Sequence, residues 1–178
     1  ITGSARGIGK GIALGFAKQG ADIVINDLNA QEASKTVEEI KKLGVKAINI
    51  TADVTDENAV KEMFSTIKKE FGKLDILVNN SALSLDSYLF DKTKDEFMKV
   101  LEVNVFGTFL MMKIFSKITS YIFNISSTDA FDTGNEYNID YSCSKASINC
   151  MTKYFSVYDK NTIYISICPN WVLTEPIM

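Results

Sequence analysis

The chain has 178 residues, 46% of them apolar and 23% charged, with a net charge of −3. That is enough to bury a substantial core, and residues 1–178 read as a single domain; interspersed charge and strand-length apolar runs exclude a nucleic-acid footprint, a polybasic membrane patch and a bilayer span. Histidine is absent, which removes Ser-His-Asp catalysis, histidine metal sites and histidine acid–base chemistry, and leaves proton transfer to Asp, Glu, Lys, Tyr or Cys.

Ile1-Thr2 reads as the end of a first strand. After a glycine loop, Ile8, Ile12, Ala13, Phe16 and Ala17 recur at helical spacing, and Gly20 can stop that helix. Ala21 to Asn26 reads as strand two, Ala30 to Leu43 as a helix, and Val45 to Thr51 as strand three. Val60, Met63, Phe64, Ile67 and Phe71 mark a third helix, followed by strand four from Leu74 to Val78. One long helix is predicted from Lys94 to Lys117, then strand five from Tyr121 to Ile125, a helix from Tyr141 to Tyr158 and strand six from Thr162 to Cys168. Strands alternating with helices predict right-handed βαβ units and a doubly wound parallel sheet in three α/β/α layers. The three cysteines, Cys143, Cys150 and Cys168, contain no CxxC pair. They are read as reduced, small buried side chains in a cytoplasmic protein.

Two patterns carry chemistry. Gly3, Gly7 and Gly9 lie between the first strand and the first helix, where a doubly wound fold binds a dinucleotide against free N–H groups. Asp27 ends strand two, where a carboxylate can accept from the adenosine ribose hydroxyls and repel a 2′-phosphate, favouring NAD over NADP. Arg6 in the loop argues the other way, and a helix-capping role for Asp27 is the competing reading. Further along, Tyr141 precedes Lys145 by one helical turn, with Ser126-Ser127 upstream. A free phenol has a pKa of about 10, and an ammonium beside it favours the phenolate. A YxxxK spacing or a glycine trio alone occurs often by chance; their order and separation make the signal.

In this arrangement the chain resembles the short-chain dehydrogenase/reductases over essentially its whole length, with a Rossmann-type fold. Thr2-Gly3-Ser4-Ala5-Arg6-Gly7-Ile8-Gly9 is similar to TGxxxGxG; Asp53-Val54 to the adenine-contacting pair after strand three; Asn79-Asn80-Ser81-Ala82 to NNAG; Asn104 to the asparagine of the long helix. Ser127 resembles the active-site serine, Tyr141 and Lys145 the YxxxK pair, and Pro169-Asn170-Trp171-Val172-Leu173-Thr174 the PGxVxT segment. The resemblance implies four catalytic residues. Tyr141 is the general acid or base. Lys145 lowers the Tyr141 pKa together with the nicotinamide and holds the nicotinamide ribose. Ser127 donates to the substrate oxygen, and Asn104 joins a water-mediated relay. It implies cofactor contacts from Gly3, Ser4, Arg6, Gly7, Ile8, Gly9, Asp27, Asp53, Val54, Asn79, Tyr141, Lys145, Pro169, Val172 and Thr174, and no metal.

The expected activity is hydride transfer between NAD, with NADP possible, and a secondary alcohol or ketone. A 3-oxoacyl-[acyl-carrier-protein] reductase using NADPH and a non-catalytic dinucleotide-binding protein are the alternatives. The expected partners are a small-molecule alcohol or carbonyl substrate and a second copy, as homodimer or homotetramer, packed through the long helix and the Tyr141 helix. Ala82 and Asn170 stand where the family has glycine, and the turns at 117–120 and 157–160 are short. The family continues past Thr174 with a substrate-covering loop, a helix and a strand, so the C-terminal part of the fold is expected to be missing from this chain.

Overall fold

The computed structural model describes residues 1–132 and 135–174. Its elements alternate: α1 (Gly7–Lys18), β1 (Ile23–Asn26), α2 (Ala30–Lys41), β2 (Ala47–Ile50), α3 (Glu57–Phe71), β3 (Ile76–Asn79), α4 (Lys94–Leu101), α5 (Thr108–Phe115), β4 (Tyr121–Ile125), α6 (Ile139–Tyr158) and β5 (Ile163–Ile167). β1 pairs with β2, and β4 lies between β3 and β5, all parallel. The opening strand is reduced to one parallel bridge between Thr2 and Asn26. It still joins the two sheets: Asn26 N–H donates to the Ile1 carbonyl at 3.0 Å, and Thr2 N–H donates to the Val78 carbonyl at 3.0 Å. Strand order is therefore β2, β1, Ile1-Thr2, β3, β4, β5. The chain winds outward on one side of Thr2 and then on the other, which opens a crevice at the carboxyl ends beside it.

Side-chain alternation sends the sheet's apolar residues to both faces. Ile23 and Ile25 of β1 pack with Ala13 and Ala17 of α1 and with Val37 and Ile40 of α2. Val24, between them, faces the opposite cluster, where Val60, Met63 and Ile67 of α3 meet Leu110, Met112 and Phe115 of α5 and Ile122 of β4. Three layers result.

A polar row crosses this apolar frame near the strand ends. Asn79, Asn124 and Ser166 are in register on β3, β4 and β5. The Asn79 amide donates to Asn124 at 2.8 Å, and the Asn124 amide donates to Thr152 of α6 at 2.9 Å and contacts the Met112 sulfur at 3.3 Å. Ser166 hydrogen-bonds Asn149 of α6. Asn79 Oδ1 and Asn149 Nδ2 are left without a partner, whereas Asn124, bonded at both ends of its amide, ties α6 to the sheet at one height.

The structure corrects the sequence reading at two places. The long helix predicted from Lys94 to Lys117 is interrupted by a π-helical stretch, Glu102–Gly107, and ends at Phe115. Two contacts with distant segments meet at the widened turn. The Asn104 side chain bonds the backbone of Leu83 instead of facing solvent, and Gly107 meets Val54 so closely that a Cβ there would lie 2.7 Å from Val54 Cγ2. Cys143 and Cys150, expected to be buried, are exposed, and Cys168 is half-buried. α6 turns Ser144, Lys145, Ile148 and Thr152 inward, which leaves the two cysteines on its outer side. The short turns close with local bonds, Thr119 Oγ1 donating to the Phe115 carbonyl at 2.7 Å and Tyr164 to Asp159 at 2.7 Å.

Asn124→Leu keeps approximate volume but leaves the Asn79 amide and the Thr152 hydroxyl without this partner. Chemical denaturation of the variant is expected to show a loss of about 1–3 kcal/mol.

Candidate active site

Five helices show how the crevice differs from the rest of the surface. α2, α3 and α4 are capped by the side chains of Asn29, Asp56 and Thr93, the last in a capping box with Glu96. α1 and α6 have no side-chain cap from their N-cap residues, Arg6 and Asn138. Both uncapped starts carry site candidates.

The α1 start is shaped for close approach. Gly3 and Gly7 take positive φ of 57° and 59°. At Gly9 a Cβ would lie 2.5 Å from the Gly3 carbonyl oxygen and 2.7 Å from Asn80 Nδ2. Asn80 braces this loop from below, donating to the carbonyls of Thr2 at 3.0 Å and Gly3 at 2.9 Å. Thr2 Oγ1 accepts from the N–H groups of Asn80 and Ser81 at 2.9 and 3.0 Å. Ser4 is fully buried and its hydroxyl donates to the Ile1 carbonyl at 2.7 Å, a bond within the loop. Ile8 is half-buried and Arg6 exposed. Asp27 accepts from Ala5 N–H and from Asn29 N–H, both at 3.0 Å, so it tethers the loop to β1 while Asn29 takes the capping role.

The remaining cofactor candidates spread around this loop. Asp53 is exposed and accepts from the Thr55 N–H and hydroxyl, each at 2.8 Å; Val54 is buried against Gly107. Asn79 points its side chain into the sheet, toward Asn124. The Pro169 carbonyl accepts from Thr128 N–H at 3.1 Å, tying that segment to the turn after Ser127, and Val172 and Thr174 follow in irregular chain. Free N–H groups at an uncapped helix start, no Cβ above them and a carboxylate at the β1 end fit a dinucleotide.

On the other side of the crevice, α6 carries Tyr141 and Lys145. Ser127 begins a short 3₁₀ turn, Thr128–Ala130; its Oγ accepts from Asp129 N–H at 3.2 Å, and its hydroxyl acts on the Tyr141 phenol. Ser126 is the other serine available by sequence. It is committed elsewhere, its hydroxyl donating to the Lys145 carbonyl at 2.9 Å. Lys145 is 2% exposed, and its Nζ donates to the Ile125 carbonyl at 2.7 Å and lies 5.2 Å from the Tyr141 ring centroid. Asn104 reaches the same turn indirectly. Its amide donates to Ser144 Oγ at 2.9 Å and to the Leu83 carbonyl at 2.9 Å, its oxygen accepts from Leu83 N–H at 2.7 Å, and Ser144 donates to the Tyr141 carbonyl at 2.6 Å.

Burial pushes the Tyr141 phenol above its usual value of 10.0; the Ser127 hydroxyl pulls it down and the charge of Asp129 pushes it up. The lowering expected from Lys145 is therefore not delivered by the chain's own groups. Burial lowers Lys145 from 10.5 to about 8, with Cys168 opposing. Ser144, Asn80 and Gly107 also hold the site. Asn80 and Ser144 lie inside recognised motifs without a separate signature, and Gly107 shows itself only through its neighbour Val54.

The depressed Lys145 pKa has a defined sign. Between about 8 and 10.5 the unfolded chain binds more protons there than the folded one, so this group's penalty is full below pH 8 and fades as pH rises through that window. Denaturant midpoints are expected to show this rise toward pH 10, and Lys145→Met is expected to abolish it. Gly9→Ala is expected to lower stability by about 1–3 kcal/mol and to remove dinucleotide binding measured by calorimetry.

Residues 1–177 match the short chain dehydrogenase family. Among curated proteins, glucose 1-dehydrogenase 2 of Bacillus subtilis is 34% identical over 187 aligned residues, covering 98% of this chain and 71% of its own length. A 3-oxoacyl-[acyl-carrier-protein] reductase of Staphylococcus aureus is 34% identical over 159 residues, covering 86% of this chain and 64% of its own length. A short chain dehydrogenase of Burkholderia cenocepacia, crystallised with NADP, superposes with a TM-score of 0.89 at 29% identity, over 98% of this chain and 74% of that one. The chain spans only part of each relative. With the glycine loop, the crevice and the Ser127, Tyr141 and Lys145 cluster in place, it belongs to the short-chain dehydrogenase family.

Proposed function

We propose that this chain binds NAD and transfers hydride between it and a secondary alcohol or ketone carbon. The observation that carries the reading is the convergence of Ser127, Tyr141 and Lys145 on one side of a crevice whose other side is the uncapped start of α1. A bound nicotinamide supplies the hydride donor or acceptor. The side chains manage the proton and the charge. In reduction Tyr141 gives its phenolic proton to the carbonyl oxygen; in oxidation it takes the alcohol proton. Ser127, which pulls the pKa of that phenol down, donates to the same substrate oxygen as charge develops on it. Lys145, 5.2 Å from the Tyr141 ring centroid, would favour the phenolate together with a cationic nicotinamide and offers its remaining N–H donors to the nicotinamide ribose. Asn104 supports a water-mediated relay behind Lys145. Around the dinucleotide, Gly3, Gly7, Ile8 and Gly9 supply backbone, Asp27 takes the adenosine ribose, Asp53 and Val54 border the adenine, and Pro169, Val172 and Thr174 border the nicotinamide.

A second reading, an NADPH-dependent 3-oxoacyl-[acyl-carrier-protein] reductase, is favoured by the similarity to the Staphylococcus aureus enzyme and by exposed Arg6 in the glycine loop. Asp27 speaks for NAD. Self-association through α4, α5 and α6 is part of the proposal, supported by exposed Met98, Phe106, Phe109 and Tyr154; the unpaired thiols suit a cytoplasmic setting.

Tyr141→Phe is expected to reduce turnover by about 10²–10⁴-fold while dinucleotide affinity holds; unchanged turnover would remove Tyr141 from the mechanism. Asp27→Ser is expected to shift the NAD/NADP affinity ratio toward NADP by at least about tenfold, read by titration of both dinucleotides. A parent protein that already prefers NADP would favour the reductase reading instead.

A further inference from the structure

One buried ion pair beside the Tyr141 turn is left unused by the proton chemistry. Lys92 Nζ lies 2.8 Å from Asp140 Oδ2, with side-chain exposures of 3% and 0%. The two residues come from different elements: Lys92 immediately precedes Thr93, the cap of α4, and Asp140 is the second residue of α6. Lys92 also donates to the Leu85 carbonyl at 2.6 Å, and the other Asp140 oxygen accepts from the Tyr141 N–H at 2.9 Å.

These bonds fill the place of the missing cap on α6. Asn138 caps the helix with no side chain, so a first-turn N–H, that of Tyr141 itself, is satisfied by Asp140 from inside the protein. A carboxylate there needs a counter-charge because water does not reach it, and Lys92 supplies one. Lys92 in turn pins Leu85, two residues along from Leu83, whose backbone takes both ends of the Asn104 amide. The cleft-wall segment, the start of α4 and the first turn of α6 thus meet at one ammonium. Stability alone is a weak account of such a pair, since a matched apolar pair in a buried site is often as stable or more so. A charge pair with fixed acceptors admits one relative placement of its two elements; an apolar contact admits several.

We propose that Lys92 and Asp140 are positioning residues for Tyr141, holding its turn of α6 at the height where the phenol meets Ser127 and the Lys145 ammonium. The proposal rests on the reading of Tyr141 as proton donor and acceptor, which Tyr141→Phe tests by itself. The test of the pair is Lys92→Met combined with Asp140→Asn, which removes both charges together and keeps side-chain shape and an oxygen for the Tyr141 N–H. The double variant is expected to bind NAD within about twofold of the parent by calorimetry. Its kcat for alcohol oxidation should fall about 10- to 100-fold, and the rise of kcat with pH should move about one unit higher. Lys92→Arg, which keeps the charge and can still face Asp140, is expected to recover most of the lost kcat and return the pH profile toward that of the parent. A double variant with parental kcat and pH profile would overturn the proposal. So would a kcat loss matched by the loss in NAD affinity, or an unfolded double variant beside a fully functional Lys92→Arg; those outcomes assign the pair to cofactor binding or to stability. An inactive Tyr141→Phe together with a parental double variant would leave the mechanism standing and remove only the pair.

Discussion

A lysine ammonium held inside the protein by a backbone carbonyl is the constraint on which the site depends. Lys145 donates to the last carbonyl of β4, that of Ile125, and its own carbonyl accepts from Ser126, the next residue of the same chain segment. The two bonds lace α6 to the end of β4 in both directions. They decide which serine is free: Ser126 is consumed in the lacing, and Ser127 is presented to the crevice. They also fix the rotation of α6, so that Tyr141, one turn before Lys145, stands over the same opening. Burial of the cation is unfavourable in itself, as its pKa of about 8 records. The arrangement therefore holds unfavourable electrostatics that an anion in the crevice would relieve.

The other half of the site follows from chain winding and from what the sequence withholds. The sheet parts on either side of Thr2, and the crevice sits at that reversal. At its rim, α1 begins without a side-chain cap, while α2, α3 and α4 have one and α5 continues directly from the π-helical stretch. The donors of α1 remain available to a ligand, and Asn80 and Asp27 stiffen the loop that presents them. α6, whose N-cap Asn138 provides no side-chain bond, meets a different solution, a carboxylate already inside the fold.

Much of this was legible in the sequence because it obeys local rules. Strand-length apolar runs, helical periodicity and the glycines after helices placed every strand and most helix ends within a few residues, and the glycine loop and YxxxK spacing placed the two sides of the crevice. What was not legible depends on contacts between distant segments. The periodicity from Lys94 to Lys117 is helical throughout, and nothing local announces that Asn104 will turn inward to Leu83, or that Gly107 must clear Val54; both contacts meet at the π-helical stretch. Cysteine's usual preference for burial lost to the orientation that Lys145 and Ile148 impose on α6. Lys92 and Asp140 lie 48 positions apart with no spacing rule between them, and only the packed structure shows that they neutralise each other.

The perturbed pKa values of Tyr141 and Lys145 have one common cause. Burial pushes the phenol up and the ammonium down, in each case toward the neutral form. A neutral phenol resists serving as a base, and an isolated buried ammonium is costly. Forming the phenolate beside the ammonium addresses both, because each charge then screens the desolvation of the other. Ser127 favours the same outcome by pulling the pKa of the phenol down, and Asp129 opposes it. With the chain's own groups the balance stays on the side of the phenol. Additional positive charge in the crevice would tip it, and the oxidised nicotinamide of the proposed reaction would carry such a charge. The protein's contribution is to bury the phenol and the ammonium side by side, so that a charge brought into the crevice acts on both.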